Sequence, residues 1–438
     1  MAPTAELIFH GTGTSSCLPN IACLTAPPPE PMCQACWLAA NPTHGPQTGL
    51  TPEEALRNRR RNTGAIFRYK EEGAAEGEET VIVIDAGKTF VQAALEWQVL
   101  PVSVWRSRQL SPTRFPKYGL RRIDALLLTH AHADAMNGLD DLRCWTLRHA
   151  IQPHIDIYLS ARTFQEVQRT FPYLVDKGMA TGGGDVPDFL WHVISELEPV
   201  EIKAVQVVPL QVHHGRYFEP QSNLASPMPT PMPTRPDTPN PTVPPASPPQ
   251  RLNGHGGSSL LPNPLPKALF TKPTITSIPY LSLGFHLPQF LYLSDVSEIP
   301  PQTKQYLSAL PAADRPQVLI IDCLRPKPFT SHFGLSQSVA AAHHLGCARS
   351  YIIGMTCGHG EAWLTHRGWE QICRTLSDGK KRLEEEQWVG EEEERVRAEA
   401  VVAEVVQDVG ETRAWVRPSF DGLRIVVGPQ GISDGVYD

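Results

Sequence analysis

The segment Leu126-Leu127-Leu128-Thr129-His130-Ala131-His132-Ala133-Asp134 runs from three leucines into two imidazoles and a carboxylate at positions i, i+2 and i+4. Its apolar start has the character of a buried strand. If the backbone stays extended beyond it, side chains two apart project to one side, and His130, His132 and Asp134 converge on a common point. Imidazole nitrogen and carboxylate oxygen are the donors that zinc, manganese or iron accept, so the three are read as metal ligands. One histidine at a strand end is usually a satisfied polar residue; three donors at this spacing are a different signal.

Outward from this segment the same grammar repeats. Short apolar runs occur at Glu6 to Phe9, Val81 to Ile84, Ile155 to Leu159, Val205 to Leu210, Phe290 to Leu293, Val318 to Ile321 and Tyr351 to Ile353. Their branched and aromatic content marks them as strands, and several end directly in Asp, His or Gly. Helix-like stretches fall between them at Leu142 to Ala150, Thr163 to Thr170 and Leu335 to Leu345, the last closed by Gly346. Interleaved strands and helices imply an α/β chain. Near the end, Trp415 to Pro418 and Leu423 to Val427 read as a terminal hairpin.

Two segments look inserted into one domain spanning 1–438. Between Pro220 and Pro266 there are 15 prolines in 47 residues, with Ser, Thr and Asn in the gaps. Such a composition cannot bury enough apolar surface to offset the entropy of ordering, so 219–275 is expected to be disordered. Spacings such as Pro236 to Pro239 and Pro241 to Pro244 would suit an SH3 or WW module as partner, although any Pro-rich linker produces them. The second segment, 378–410, carries Glu384 to Glu386 and Glu391 to Glu394 and reads as a charged helix with a solvated face.

The net charge of −7, from 39 basic and 46 acidic residues, supplies no general positive field for nucleic acid, which is not an expected partner. No run reaches the roughly 18 apolar residues of a membrane span, and the first residues lack a basic and apolar leader. Nine cysteines at uneven spacing fit reduced thiols better than a disulfide framework. A cytoplasmic or nuclear protein is expected.

The histidine segment resembles the metallo-β-lactamase superfamily, whose signature is HxHxDH. The continuation Asn137-Gly138-Leu139-Asp140-Asp141-Leu142-Arg143 resembles more narrowly the branch of cyclic-phosphate phosphodiesterases accessory to carbon–phosphorus lyase, with its fungal and plant relatives. The likeness takes in Gly11-Thr12-Gly13-Thr14-Ser15, Asn58 to Thr63, Ile84 to Lys88, Val212-His213-His214-Gly215, Tyr292 to Ser297 and Phe420 to Leu423. It implies an αββα sandwich interrupted by the Pro-rich insertion. It also implies one or two active-site ions, Zn2+ or Mn2+, held by His130, His132, Asp134, His214, Asp295 and His359. His213 is an alternative to His214, and Cys357 a softer alternative to His359. Read without the family, Asp295 could instead cap a helix starting near Ser297. At position 135 the family's second-metal histidine is Ala135, which offers no lone pair.

Cys33-Gln34-Ala35-Cys36 has the spacing with which two thiolates grip one tetrahedral ion. Some relatives hold a structural zinc with three such cysteines and a later histidine, which implies Cys23, Cys33, Cys36 and His366 here. In the phosphodiesterase branch a histidine in the loop Arg325 to Phe333 faces substrate, which makes His332 the general acid, with Asp134 orienting the water. Arg143 and Arg325, with Arg60 and Arg61 behind them, are the phosphate contacts this reading supplies. The expected activity is hydrolysis of a phosphodiester or cyclic phosphate in a small molecule by a metal-activated water. A thioesterase or lactonase on the same site, and a metal-poor scaffold, are the alternatives.

Overall fold

The computed structural model describes residues 3–27, 32–75, 77–98, 121–181, 185–220, 275–358, 362–378, 391–410 and 412–438. Residues Met1–Arg216 with Pro279–Asp438 form one compact unit, and Tyr217–Ile278 a second whose described part consists of strand ends.

The strands are β1 (Thr4–Gly11), β2 (Gly64–Lys70), β3 (Thr80–Ile84), β4 (Ala125–Leu127), β5 (Ile155–Leu159), β6 (Phe189–Val193), β7 (Val200–Ile202), β8 (Val205–Pro220), β9 (Ile275–Leu287), β10 (Phe290–Leu293), β11 (Val318–Asp322), β12 (Arg349–Ile353), β13 (Val416–Pro418), β14 (Arg424–Gly428) and β15 (Gly431–Ser433). They form two mixed sheets, ordered β15-β14-β1-β2-β3-β4-β5-β6 and β13-β12-β11-β10-β9-β8-β7. The run β3 to β6 is parallel, as is β10 to β13, and within these runs β3, β4, β10 and β11 are buried along their whole length because both of their faces are covered, whereas β6 is an edge strand with Leu190 and Val193 exposed.

Alternation along the strands builds three cores. Leu7 and Phe9 of β1, Ile82 and Ile84 of β3, and Leu127 of β4 turn toward Phe285, Tyr292, Ile320 and Tyr351 of the other sheet. Their neighbours Ile8, Val83 and Leu126 turn outward, with Phe90, Trp145 and Val167 from helices covering the first sheet. Leu319 and Ile321 of β11 turn outward in the same way, onto Val339, Trp369 and Val402 from three helices on the second sheet. The result is the four-layer αββα sandwich expected from the sequence, with a period of two dividing each strand between an inner and an outer core.

Several local expectations change. Leu142 to Ala150 is a chain of short turns, because Arg148 and His149 both take positive φ and no continuous helix can pass through them. The terminal segments do not pair as a hairpin. β13 runs parallel to β12 in one sheet, β14 lies antiparallel to β1 in the other, and the hairpin is β14 with β15. The edges of the Pro-rich segment are strand up to Pro220 and from Ile275; its interior, with the prolines proposed for SH3 or WW modules, lies outside the described residues.

The charged segment does form a helix, Glu392–Val409, but one face is packed. Ala398, Val402 and Val405 join the core beneath the second sheet, and the Glu394 carboxylate is buried, accepting the backbone N–H of Thr365 at 2.6 Å. Among its acidic residues, Glu384 to Glu386 lie outside the described residues.

Candidate metal centre

β4 ends at Leu127, and the extended backbone continues only as far as His132, the N-cap residue of the short helix Ala133–Met136. Spacing by two therefore accounts for His130 and His132, while Asp134 arrives in the first turn of a helix. The turn is pressed against the loop after β3: a Cβ on Gly87 would sit 1.9 Å from the carbonyl oxygen of Asp134, so only glycine permits that approach.

His130, His132 and His214 offer donor atoms within 4.8 Å of one another, as do His214, Asp295 and His332. The chain fixes the tautomers through backbone and side-chain partners. The Thr129 hydroxyl donates to Asp85 Oδ2 at 2.8 Å, so its oxygen accepts from His130 Nδ1, also at 2.8 Å. That leaves His130 Nε2 as a buried lone pair with no hydrogen-bond partner. His214 Nδ1 donates to the Ser331 carbonyl at 2.8 Å, which turns its Nε2 to within 3.1 Å of His132 Nδ1 and 3.9 Å of an Asp295 oxygen. Burial lowers the pKa of His132 to about 4 and holds that of His130 well below the usual imidazole range, so both rings are neutral at pH 7. An orphaned buried lone pair facing two more imidazoles and a carboxylate fits a divalent cation.

β8 settles which of the adjacent histidines belongs here. Successive side chains alternate, and His213 turns away to Glu298 at 3.0 Å while His214 faces the centre. Asp295 follows β10 in a left-handed conformation, φ 53°, and not as a helix cap; the next helix is Pro301–Ala309, capped at Pro300. Burial raises the Asp295 pKa, but the surrounding histidines outweigh it and hold the carboxyl near 2. His332 Nδ1 pairs with Asp322 Oδ2 at 2.8 Å, leaving its other nitrogen to the centre. The helix that follows it, Leu335–Leu345, is capped by Gly334 and Gln337 and leaves His332 free of that task. Burial lowers the His332 pKa, yet Asp322, Asp295 and Asp134 outweigh it and raise it to about 9.

Other assignments move. Asp134 is not among the clustered donors of the described residues, although its charge acts on that of Asp295. Ala135 is buried, its carbonyl accepting the N–H of Ala86, and the second donor group is supplied by His214, Asp295 and His332. His359 lies outside the described residues. Arg143 is bound to Asp140, both through its side chain and through the Asp140 carbonyl at 3.1 Å, and is not brought to the histidines. Arg60 is 1 % exposed and Arg61 is paired with Glu96 and Asp421, so neither is placed to meet a ligand. Arg325 lies over the Phe329 ring, 4.6 Å from its centroid, and Phe329 in turn stacks on His332, which puts this guanidinium at the rim.

Two features escaped sequence reasoning. Tyr280, in β9, stacks on His132 with ring centroids 4.7 Å apart, and its hydroxyl accepts the N–H of Ala131. No motif marks it. The place of Cys357 is the other: expected as an alternative ligand to His359, it lies instead with its sulfur 3.7 Å from that of Cys23, and Cys23, Cys33, Cys36 and Cys357 form a second donor cluster. His366 is not its fourth member; its Nε2 bonds the Tyr437 hydroxyl at 2.9 Å. The sulfur separation is too long for a disulfide. It matches the edge of about 3.8 Å that a tetrahedron with Zn–S bonds of about 2.3 Å requires.

A family model described as a beta-lactamase superfamily domain matches residues 80–228, which hold β3 to β8 and with them His130, His132 and His214. The chain has the metallo-β-lactamase fold. The superfamily expected from the histidine segment is the one whose model matches residues 80–228. Among solved structures, a diphosphatase from the PhnP family is similar with a TM-score of 0.51 and 17% identity, covering 97% of each chain. Zn(2+)-bound PqqB from Methylobacterium extorquens is similar at a TM-score of 0.47 and 13% identity, covering 96% of this chain and 99% of its own. Unliganded yeast PDE1 gives 0.45 and 10%, covering 97% and 99%. No curated protein is significantly similar to the chain. No helix among the described residues is long and apolar enough to cross a membrane.

Proposed function

We propose that this protein is a metal-dependent hydrolase of phosphodiester or cyclic phosphate bonds in small molecules. The observation that carries the reading is the convergence of His130, His132 and His214 on a buried unpaired lone pair, with Asp295 and the Asp322-paired His332 beside them. The diphosphatase likeness directs it to phosphorus.

His130 Nε2, His132 Nδ1 and His214 Nε2 would hold one divalent cation, and Asp295 lies in the second donor group beside it, with His214 and His332. Zinc suits the histidine-rich set, and manganese is the alternative. Such a cation polarises a phosphoryl oxygen and lowers the pKa of a water toward about 7. Asp85 and Thr129 keep His130 in the ligating tautomer, and the Ser331 carbonyl does the same for His214. Asp322 orients His332, which delivers a proton to the departing oxygen. Asp134, within electrostatic reach of Asp295, positions the attacking water. Tyr280 forms a wall over His132, with Arg162 5.1 Å above its ring, and Arg325 at the rim is the phosphate contact. The four cysteines would hold a separate structural zinc.

The test is to purify the full chain, count metals by elemental analysis, and measure turnover of bis-para-nitrophenyl phosphate and of a ribosyl cyclic phosphate. Thioester and lactone substrates run in parallel. Turnover of the phosphodiesters that falls at least a hundredfold in His132→Ala is expected. Equal turnover in the variant, or turnover of acyl substrates alone, refutes the reading.

A further inference from the structure

Away from both donor clusters the molecule holds a cavity of about 450 Å³, bounded by the helices Pro52–Leu56 and His366–Asp378 and by Gly435 and Val436. None of the clustered histidines or cysteines lines it. Its volume is that of a small-molecule site.

The wall is charged and incompletely paired. Arg57, Arg367 and Arg374 line it together with Glu54 and Glu370. Arg374 is bound to Glu370 at 2.9 Å, and Glu54 accepts both the N–H and the hydroxyl of Thr51 at 2.8 Å. The guanidiniums of Arg57 and Arg367 have no hydrogen-bonded or ion-paired carboxylate among the described residues. Arg57 is held in place all the same, 4.9 Å over the Phe420 ring, and the same ring meets His366 in a T-shaped contact with centroids 5.4 Å apart.

Two acceptors on the same wall are also unpaired. The Tyr437 hydroxyl donates to the Pro418 carbonyl at 2.8 Å, so its oxygen accepts from His366 Nε2. His366, only 2 % exposed, is therefore the Nε2–H tautomer with a bare lone pair on Nδ1, and that atom is buried without a partner. Gln371 Oε1, farther along the same helix, is buried and unpartnered as well. A buried acceptor left unmade is costly, and here the residues that carry two such atoms line one cavity beside two cations. The complement of this wall is a dianion carrying hydroxyl donors.

We propose that the cavity binds a small hydroxylated organic phosphate of the sugar phosphate class. Arg57 and Arg367 take the phosphate, and His366 Nδ1 and Gln371 Oε1 accept from the hydroxyls. This site is independent of the metal centre and of the reaction proposed there.

The experiment uses full-length protein carrying His132→Ala, so that phosphate binding at the metal centre is suppressed, and titrates ribose 5-phosphate, ribose and inorganic phosphate by calorimetry. The expected result is saturable binding of ribose 5-phosphate, tighter than inorganic phosphate by at least fivefold, and weakened at least tenfold by adding Arg57→Gln and Arg367→Gln. Gln371→Leu alone should weaken ribose 5-phosphate severalfold and leave inorganic phosphate unchanged, which decides the matter if the double arginine variant does not fold. Absence of binding, affinity unmoved by either substitution, or inorganic phosphate bound as tightly as the sugar phosphate overturns the proposal.

Discussion

Arg60 is buried, its Nε has no partner among the described residues, and its guanidinium donates to the Met355 carbonyl at 3.2 Å, two residues before Cys357. A buried guanidinium is costly without a compensating charge. Burial is the largest influence on its pKa, lowering it to about 10, and the charges of Asp421 and Cys357 act against that. Four thiolates around the structural zinc proposed for them would carry two net negative charges, which Arg60 is placed to offset. Arg60→Met should therefore speed zinc loss to a chelator by about tenfold, the lower end of what outer partners of metal ligands are worth. Chelator release followed with a colorimetric dye checks this, and an unchanged rate refutes it. At the metal centre, His332 acting as acid implies a dependence on the leaving group. His332→Gln should cost roughly a hundredfold with an alkyl leaving group and only a few-fold with para-nitrophenolate, which departs without a proton. Equal losses on the two substrates would remove His332 from that role.

At the scale of elements, the helix Glu392–Val409 shows how a run of glutamates misleads. Counting charges gives a solvated helix, yet Ala398, Val402 and Val405 recur at helical spacing and Val405 is 1 % exposed. The stripe was present in the sequence and outvoted by the acidic composition around it. Val405→Ala should destabilise the protein by roughly 2 kcal/mol through the cavity it leaves, measured by urea unfolding, whereas Val396→Ala on the exposed face should change it by less than about 0.5 kcal/mol. The terminal strands failed for another reason. β13 and β14 each match a strand pattern, but pairing depends on which sheet has an open edge, and that is a property of the assembled sandwich.

For the whole molecule, His10 joins the end of β1 to the end of β3. Its Nε2 donates to the carbonyls of Ile84 and Asp85 at 3.2 and 3.1 Å, and burial pushes its pKa down to about 4. Because the unfolded chain binds this proton at its ordinary value of about 6.5, the contribution is complete above that pH and is lost as the pH falls toward about 4. By pH 5 the loss amounts to about 2 kcal/mol. Wild-type stability from urea unfolding should thus fall by about that much more than the stability of His10→Gln between pH 7.5 and pH 5. Parallel slopes would show that His10 titrates alike in the folded and unfolded chains.

What the sequence determined by itself was whatever repeats locally: strands with a period of two, His130 and His132 at the end of one of them, the two cysteines of Cys33 to Cys36, and with these the fold. Tertiary structure decided the partners. That Cys357 and not His366 completes the thiol cluster, that His214 and not His213 faces the centre, that Tyr280 walls it and that Arg60 and Arg143 stand away from it all depend on side chains far apart in sequence meeting across two sheets. Cys23 and Cys357 are 334 residues apart. Spacing within a segment records which face a side chain takes, and says nothing of what a distant segment brings to that face.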